Sequence, residues 1–295
     1  IENLKNNNDL NNNKSFLNLV VSKSGETVET IVNANIYIKK NDKNIFITEN
    51  KKNYLNTLAA KLKSDVIHHN NFIGGRYSVL SEVGMLPAQL MGLNERKFKK
   101  FNNLVNSNSF INSLINNVGF IYKNISNGKK NSVILNYDEK SENFFKWYQQ
   151  LTAESLGKKS KGILPIISTM PKDNHSLLQL YLDGPKDKFF TFFGVAENKY
   201  QKFESKNLFN KFSILKNKKI FKIIKSQKMA TEVVFRKKNL PFRSFDLSKR
   251  SEEILGELFC FFILETILLG RLLKVNPFDQ PSVELIKAET TRLLI

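Results

Sequence analysis

The sequence has one cysteine, Cys260, and only three histidines among its 295 residues. A single cysteine excludes an internal disulfide, and its position in an apolar run indicates a reducing compartment. The first residues are polar and lack the charged and apolar regions of a signal peptide. The longest apolar run, residues 254–273, contains Glu257, Glu265 and Arg271, whose charges are costly in lipid. We therefore predict a cytoplasmic protein without membrane contact, in which this run is a buried helix.

Acidic residues are also few: 27 aspartates and glutamates stand against 46 lysines and arginines, a net charge of +19. Such a surplus is typical of nucleic-acid-binding proteins, because clustered cations displace counterions from phosphate backbones. Here the lysines are scattered, and they accompany the heavy use of asparagine, isoleucine and phenylalanine that an AT-rich genome produces. We therefore predict no nucleic-acid partner, although a diffuse positive field favours a small anionic substrate.

Metal-ligating residues are equally sparse. His68 and His69 form the only candidate cluster in the sequence, but two adjacent side chains cannot easily share one ion. We interpret them as strand-end residues and predict a protein without a metal or other cofactor.

Short apolar runs alternate with helical patterns along the chain, which predicts parallel sheets with helical crossovers. The predicted strands cover residues 16–22, 44–48, 65–68, 132–136, 162–168, 189–195 and 243–247. The predicted helices cover residues 26–38, 54–62, 78–91, 95–122, 139–157, 219–235, 251–273 and 281 onward. This order predicts an α/β protein with two α/β units, a helical connector and a helical C-terminal tail.

The first predicted strand runs into the segment 22–27, Ser-Lys-Ser-Gly-Glu-Thr, and a helix follows. A strand-to-helix turn in a parallel sheet presents free amide groups and the positive end of the helix dipole, which favour an anion. Ser22, Ser24 and Thr27 add hydroxyl groups, and Gly25 permits a tight turn. The segment predicts a phosphate site, although a helix cap at Ser24 or Thr27 explains it equally well. It also resembles sugar isomerase (SIS) domains, which bind phosphosugars as enzymes or as sensors, and this resemblance favours phosphate.

Three later segments add polar residues. Residues 74–76 read Gly-Gly-Arg, where glycine lets the backbone approach a ligand and arginine offers a fixed cation. Residues 147–158 read Trp-Tyr-Gln-Gln-Leu-Thr-Ala-Glu-Ser-Leu-Gly-Lys. They are followed by Asp-Asn-His-Ser at residues 173–176 and Leu-Asp-Gly-Pro at residues 182–185. Residues 276–280 read Asn-Pro-Phe-Asp-Gln. Gln280 and Lys287 lie seven residues apart, which predicts that they share one face of a helix.

Together these segments closely resemble phosphoglucose isomerases, over nearly the whole chain from about residue 16. The resemblance implies a glycolytic and gluconeogenic enzyme that interconverts glucose 6-phosphate and fructose 6-phosphate through a cis-enediol. It implies the following roles: Glu154 as general base, His175 and Lys287 in ring opening, Arg76 beside Gly75 in steadying the enediolate, Gln280 in substrate binding, and Ser22, Lys23, Ser24 and Thr27 in the phosphate loop. These residue types suit the chemistry, because one carboxylate can move a proton between C2 and C1. A fixed cation then stabilises the charge that develops on oxygen.

The resemblance also implies two SIS-type three-layer α/β/α subdomains. We assign residues 1–94 to a partial first SIS domain, 95–130 to the helical connector, 131–249 to a second SIS domain, and 250–295 to C-terminal helices that complete the active site. The family carries an upstream strand and a glycine- and serine-rich loop that this sequence lacks, so we expect the chain to be incomplete at its N-terminus. The family is dimeric, which implies a homodimer with His175 acting in trans.

Two residues depart from the family pattern: Glu82, where a small residue is usual, and Ser282, where glycine or alanine is usual. The sequence also leaves alternatives open. A relaxed isomerase would accept mannose 6-phosphate as well. A non-catalytic SIS module would sense a phosphosugar, but it would have no reason to retain Glu154, His175 and Lys287 together.

Overall fold

A computed structural model describes residues 16–39, 42–196, 214–215 and 218–294. The chain divides into two compact units, Ile1–Glu95 and Arg96–Ile295. Each unit contains its own parallel β-sheet, and each is described separately below.

The first unit has a three-stranded parallel sheet in the order β1-β2-β3. Its strands and helices are β1 Leu17–Val21, α1 Val28–Tyr37, β2 Lys43–Glu49, α2 Tyr54–Leu62, β3 Asp65–His69, a 3-10 helix Gly75–Leu80, and α3 Glu82–Leu90. The core forms where apolar residues of β2 meet those of α2, with Phe46 and Leu55 fully buried. Because the strands are parallel, the segments that follow β1, β2 and β3 all emerge at the same edge of the sheet.

The second unit has a four-stranded parallel sheet in the order β5-β4-β6-β7. Its strands are β4 Asn131–Asn136, β5 Leu164–Thr169, β6 Lys188–Val195 and β7 Phe242–Leu247. The helices that follow α3 are α4 Glu95–Phe98, α5 Phe101–Val105, α6 Asn108–Ser126, α7 Glu142–Leu156, α8 Leu178–Asp183, α9 Ile220–Lys237, α10 Glu252–Leu272 and α11 Pro281–Leu294, with 3-10 helices at Glu139–Ser141 and Lys172–His175.

The phenylalanine-rich strand β6 explains the layered architecture of this unit. Every residue of β6 except Val195 is buried, as expected for a central parallel strand covered by helices on both faces. Phe190 and Phe192 stack edge-on against Phe235 of α9, with ring centres 4.8 and 5.2 Å apart. Phe193 meets Phe145 of α7 at 4.8 Å. The predicted α/β fold class with parallel sheets is therefore confirmed.

The predicted helix over residues 78–91 is wrong at its start. Residues Gly75–Leu80 form a 3-10 helix, and Ser81 then adopts an extended conformation. The Ser81 hydroxyl accepts a hydrogen bond from the Val83 amide and so caps a new helix, α3. The helical pattern over 95–122 is likewise divided into α4, α5 and α6. None of the helices in the described part of the chain has the length and apolar character needed for a membrane span.

Candidate active site

The loop between β1 and α1 leaves a helix end without a side-chain cap. The Ser22 hydroxyl is 2.8 Å from the Thr27 hydroxyl and accepts a hydrogen bond from the Gly25 amide at 3.2 Å. Thr27 occupies the N-cap position of α1, but its side chain makes no capping hydrogen bond. The Ser24 hydroxyl accepts instead from the Glu26 amide, which precedes the helix. The capping hypothesis is therefore wrong, and the geometry that would receive an anion is retained.

Asn53, in the turn between β2 and α2, packs against this loop and stabilises it. Gly25 has a φ of +70°, and a Cβ on it would stand 2.2 Å from Asn53 Cγ. Asn53 Oδ1 accepts from the Asn56 amide at 2.9 Å, and its Nδ2 donates to the Thr48 hydroxyl at 3.2 Å. That hydroxyl donates in turn to the Lys23 carbonyl at 3.2 Å. The shape of the loop is thus set by buried polar contacts as well as by its own sequence.

Lys23 connects the loop Ser22–Thr27 with the segment that follows β3. Its Nζ donates to the Asn71 carbonyl at 2.7 Å and lies 3.5 Å from Glu49 Oε1. Glu49 also pairs with Lys51 at 2.8 Å, and this hydrogen bond lowers the pKa of the Glu49 carboxyl, with a smaller contribution from Lys23. The loop and the segment that leads to Arg76 are therefore held together within one unit.

Arg76 lies at the start of the 3-10 helix Gly75–Leu80 and is only 3% exposed. Its guanidinium carbon stands 5.3 Å from the centre of the Tyr77 ring, a cation–π distance. The Ser78 hydroxyl donates to the Gly75 carbonyl at 2.7 Å and fixes the turn. Among the described residues, no atom lies within 4 Å of the position that a Cβ on Gly75 would take. The backbone at Gly75 is therefore accessible, while the neighbouring cation is held in place.

Glu154 is in the last turn of α7, in the second unit, and is half-buried. Gln150 Nε2, one turn earlier, donates to Glu154 Oε2 at 3.1 Å. Thr152 and Ser155 of the same helix turn are buried. The predicted base is thus a carboxylate near the surface, on a helix whose opposite face is packed in the core.

A buried ion pair anchors α7 and was not predicted from the sequence. Arg243 of β7 pairs with Glu265 of α10, and Tyr148 of α7 donates to Glu265 Oε1 at 3.0 Å. Burial raises the pKa of the Tyr148 phenol, which stays protonated. Burial also acts to lower the pKa of Arg243, but Glu265 and Tyr148 together outweigh it and the net shift is upward. The sequence signal was present, because Glu265 is a charge within the apolar run of α10.

Lys158, directly after α7, attaches the end of that helix to the turn at residues 276–279. Its Nζ donates to the Asn276 carbonyl and pairs with Asp279 Oδ1 at 2.7 Å. Asn276 Nδ2 donates to the other Asp279 oxygen at 3.0 Å. The Lys158 hydrogen bond lowers the pKa of the Asp279 carboxyl below its usual value. These contacts place Gln280, the next residue, close in the structure to the helix end that carries Glu154.

Gln280 lies outside the helix on which it was predicted to share a face with Lys287. Helix α11 begins at Pro281, and the Gln280 carbonyl accepts from the Val283 amide at 3.2 Å. Proline suits the first helical position because the missing N–H has no partner there. Lys287 is in the middle of α11 and is exposed.

His175 ends the 3-10 helix Lys172–His175 and is exposed. The neighbouring Asp173 fixes this turn, because its carboxylate accepts from the Thr169 amide at 2.9 Å and from the Ser176 hydroxyl at 3.0 Å. The turn follows the carboxyl end of β5, whereas Glu154 precedes the amino end of that strand. The structure therefore places the two residues at opposite edges of one sheet.

Known proteins match this chain over nearly its whole length. The family model described as phosphoglucose isomerase matches residues 2–294. A glucose-6-phosphate isomerase from Methanocaldococcus jannaschii is 33% identical and is matched over 93% of this chain and 71% of its own length. A relative from Methanococcus maripaludis is also 33% identical, over 90% of this chain and 62% of its own length. A glucose-6-phosphate isomerase from Mycoplasmopsis synoviae is 31% identical, over 95% of this chain and 69% of its own.

Solved structures give the same result for the fold. A protein of Thermus thermophilus superimposes with a TM-score of 0.84 and 26% identity, covering 94% of this chain and 71% of that one. A glucose-6-phosphate isomerase from Chlamydia trachomatis superimposes with a TM-score of 0.72 and 20% identity, over 94% of this chain and 58% of that one. The resemblance predicted from the sequence is confirmed: the chain belongs to the phosphoglucose isomerase family.

Proposed function

We propose that this protein is a glucose-6-phosphate isomerase, which reversibly interconverts glucose 6-phosphate and fructose 6-phosphate in glycolysis and gluconeogenesis. The structural observation that carries the proposal is the loop Ser22–Thr27, whose hydroxyl groups stand at a helix end without a side-chain cap. Such an end attracts a phosphate through its amide groups and its dipole. Family membership and the relatives that are named for this activity support the same substrate.

The proton transfer is assigned to Glu154. A carboxylate beside C1 and C2 of the open-chain sugar takes the proton from C2 and returns it at C1, with a cis-enediol between the two steps. The negative charge that develops on oxygen is then stabilised by Arg76, whose guanidinium is fixed before the reaction begins. Gln280 follows the turn tied to the end of α7 and contributes to substrate binding.

Ring opening is assigned to His175 and Lys287. Both side chains are exposed in the single chain. An imidazole has one nitrogen that can donate a proton and one that can accept it, which suits His175 for proton exchange at the ring oxygen.

A homodimer with His175 acting in trans belongs to the same proposal. Within one chain, Glu154 precedes β5 and His175 follows it. Six residues of strand at about 3.3 Å each span about 20 Å, too far for both side chains to reach one sugar. A histidine supplied by a second subunit resolves this separation. We also propose a cytoplasmic location, which the single buried Cys260 supports.

A non-catalytic phosphosugar sensor is the second candidate, and the retention of Glu154, His175 and Lys287 argues against it. Acceptance of mannose 6-phosphate depends on contacts to C2 of the sugar. A panel of sugar phosphates assayed as substrates would test it.

The decisive experiment is a coupled assay of fructose 6-phosphate conversion with Glu154→Gln. We expect kcat to fall by about 10²-fold or more, because a general base typically contributes about 10²–10⁴-fold, while KM changes little. Glu142→Gln is the matched control, since Glu142 is an exposed glutamate of the same helix and pairs with Lys146 at 2.9 Å. Equal activity of both variants and the parent would refute the assignment of the base.

Solvent isotope incorporation tests the chemical route. Isomerisation in deuterated water should place deuterium at C2 of glucose 6-phosphate, because the proton on Glu154 exchanges during the enediol step. Product free of deuterium under conditions of slow turnover would favour a hydride shift.

A further inference from the structure

A buried histidine at the end of β3 has no part in the proposed chemistry. The His69 side chain is 1% exposed. Its Nδ1 contacts Glu82 Oε1, and its Nε2 lies 3.0 Å from the Ile73 carbonyl oxygen. Both ring nitrogens therefore face oxygen acceptors inside the protein.

The hydrogen-bond partners determine how many protons this pair holds. A carbonyl oxygen can only accept, so Nε2 of His69 carries a proton and donates it to Ile73. The contact between Nδ1 and Glu82 holds one further proton, which leaves the histidine and the glutamate together with no net charge. A buried polar group is costly without a partner, so loss of Glu82 leaves Nδ1 of the buried His69 without this contact.

The pair spans the segment that carries Arg76. His69 is the last residue of β3 and Glu82 is the first residue of α3. Between them lie the turn that includes Ile73 and the 3-10 helix Gly75–Leu80. The His69 side chain thus bonds both the beginning of this segment, at Ile73, and the helix that follows it.

Glu82 is also one of the two residues, with Ser282, that are expected from the sequence to depart from the family pattern. A glutamate in the first turn of a helix is favourable because of the helix dipole, but that effect requires no histidine. The contact with His69 gives a second and more specific reason for its presence.

We propose that His69 and Glu82 form a positioning pair that fixes Arg76 for the stabilisation of the enediolate. The inference rests on the function proposed above for Arg76. Neither residue of the pair acts on the substrate itself. Small displacements of a group that stabilises a transition state reduce rates substantially, so the pair affects turnover more than substrate binding.

The first test compares kinetic constants in the full-length protein. In His69→Gln and Glu82→Ala we expect kcat to fall about tenfold with KM within about twofold, because the phosphate loop remains intact. The double variant should lose no more kcat than the worse single variant, since the residues act as one unit.

The matched control is His68→Gln, because His68 is the exposed neighbour on the same strand and should keep parental kcat. Parental kcat in the His69 and Glu82 variants, with only a lower melting temperature, would mean that the pair is merely structural. Effects that multiply in the double variant would also overturn the proposal.

The second test does not depend on catalysis. Phenylglyoxal labels accessible arginines, and Arg76 is 3% exposed in the native structure. We expect the His69 and Glu82 variants to label at Arg76 several-fold faster, by mass spectrometry, while Arg243 in the other unit labels at the parental rate. Unchanged labelling of Arg76 would contradict the proposal. If parent and Glu154→Gln are equally inactive, the proposed function fails, and the labelling result still decides whether the pair positions Arg76.

Discussion

Gly25 is the single residue on which the shape of the phosphate loop depends most directly. Its φ of +70° lies in the left-handed region, and the space where a Cβ would stand is occupied by Asn53. In Gly25→Ala, the side chain of Asn53 must move and release its hydrogen bonds to the Asn56 amide and to Thr48. We expect the KM for fructose 6-phosphate to rise about tenfold, because each lost bond contributes on the order of 1 kcal/mol. Steady-state kinetics will measure this change.

Gly92→Ala is a matched control for that prediction. Gly92 has a φ of +82°, and among the described residues no atom lies within 4 Å of a Cβ placed there. Both substitutions therefore carry the left-handed strain of about 1 kcal/mol, but only Gly25→Ala displaces a neighbour. Equal KM values in the two variants would show that backbone strain alone, rather than the contact with Asn53, controls the loop.

At the level of secondary-structure elements, the end of α7 depends on a lysine that connects it with the turn before α11. Lys158→Met removes the ion pair with Asp279 and the hydrogen bond to the Asn276 carbonyl. Because that turn precedes Gln280, we expect kcat/KM to fall about tenfold, in line with the roughly 1.5–3 kcal/mol of a charged hydrogen bond. Asp279→Asn keeps a neutral acceptor and should have a smaller effect. Coupled assays of the two variants will rank them.

Lys161→Met provides the comparison on the neighbouring segment. Lys161 Nζ also donates to a backbone carbonyl, that of Leu273, at 2.9 Å. That bond does not involve the turn at residues 276–279. If Lys161→Met reduces kcat/KM as much as Lys158→Met, general loosening of the segment explains both results and the specific role of Lys158 is lost.

The elements themselves were largely predictable. The seven described strands lie within two residues of their predicted bounds, because buried parallel strands form short apolar runs with helical patterns between them. The errors arose where local polar contacts override periodicity, as at Ser81, whose hydroxyl starts α3. The helix α8 was missed because its six residues are too few to establish a helical period.

The candidate site was predictable in a different sense. The motifs predict which residues carry the chemistry, and those roles stay predictions, but no motif predicts which residues hold them in place. Asn53 under Gly25, and the pair of Arg243 with Glu265 behind α7, are contacts between distant parts of the chain. No local pattern predicts which buried charges form ion pairs with each other, because the sheet order and the crossover connections bring the partners together.

On the scale of the whole molecule, the positions of Glu154 and His175 determine how many subunits a complete site requires. Helix α7 runs back from the carboxyl edge of the second sheet to its amino edge, and β5 then crosses the sheet again before His175. One chain therefore presents the proposed base and the proposed ring-opening histidine on opposite sides. Two chains can pair them in two shared sites.

Mixed dimers test this arrangement directly. Co-refolding Glu154→Gln chains with His175→Ala chains at equal concentration yields heterodimers for half of the molecules if association is random. In each heterodimer one shared site combines an intact Glu154 with an intact histidine from the other chain, and the second site has neither. We therefore expect about one quarter of the parental specific activity, since one of the two sites is restored in the half of the dimers that are heterodimers, whereas each variant alone stays near its low baseline. Activity on fructose 6-phosphate before and after co-refolding measures the recovery. A mixture with no more than the average of the two baselines, despite heterodimers detected by native mass spectrometry, would place both residues in the same chain's site.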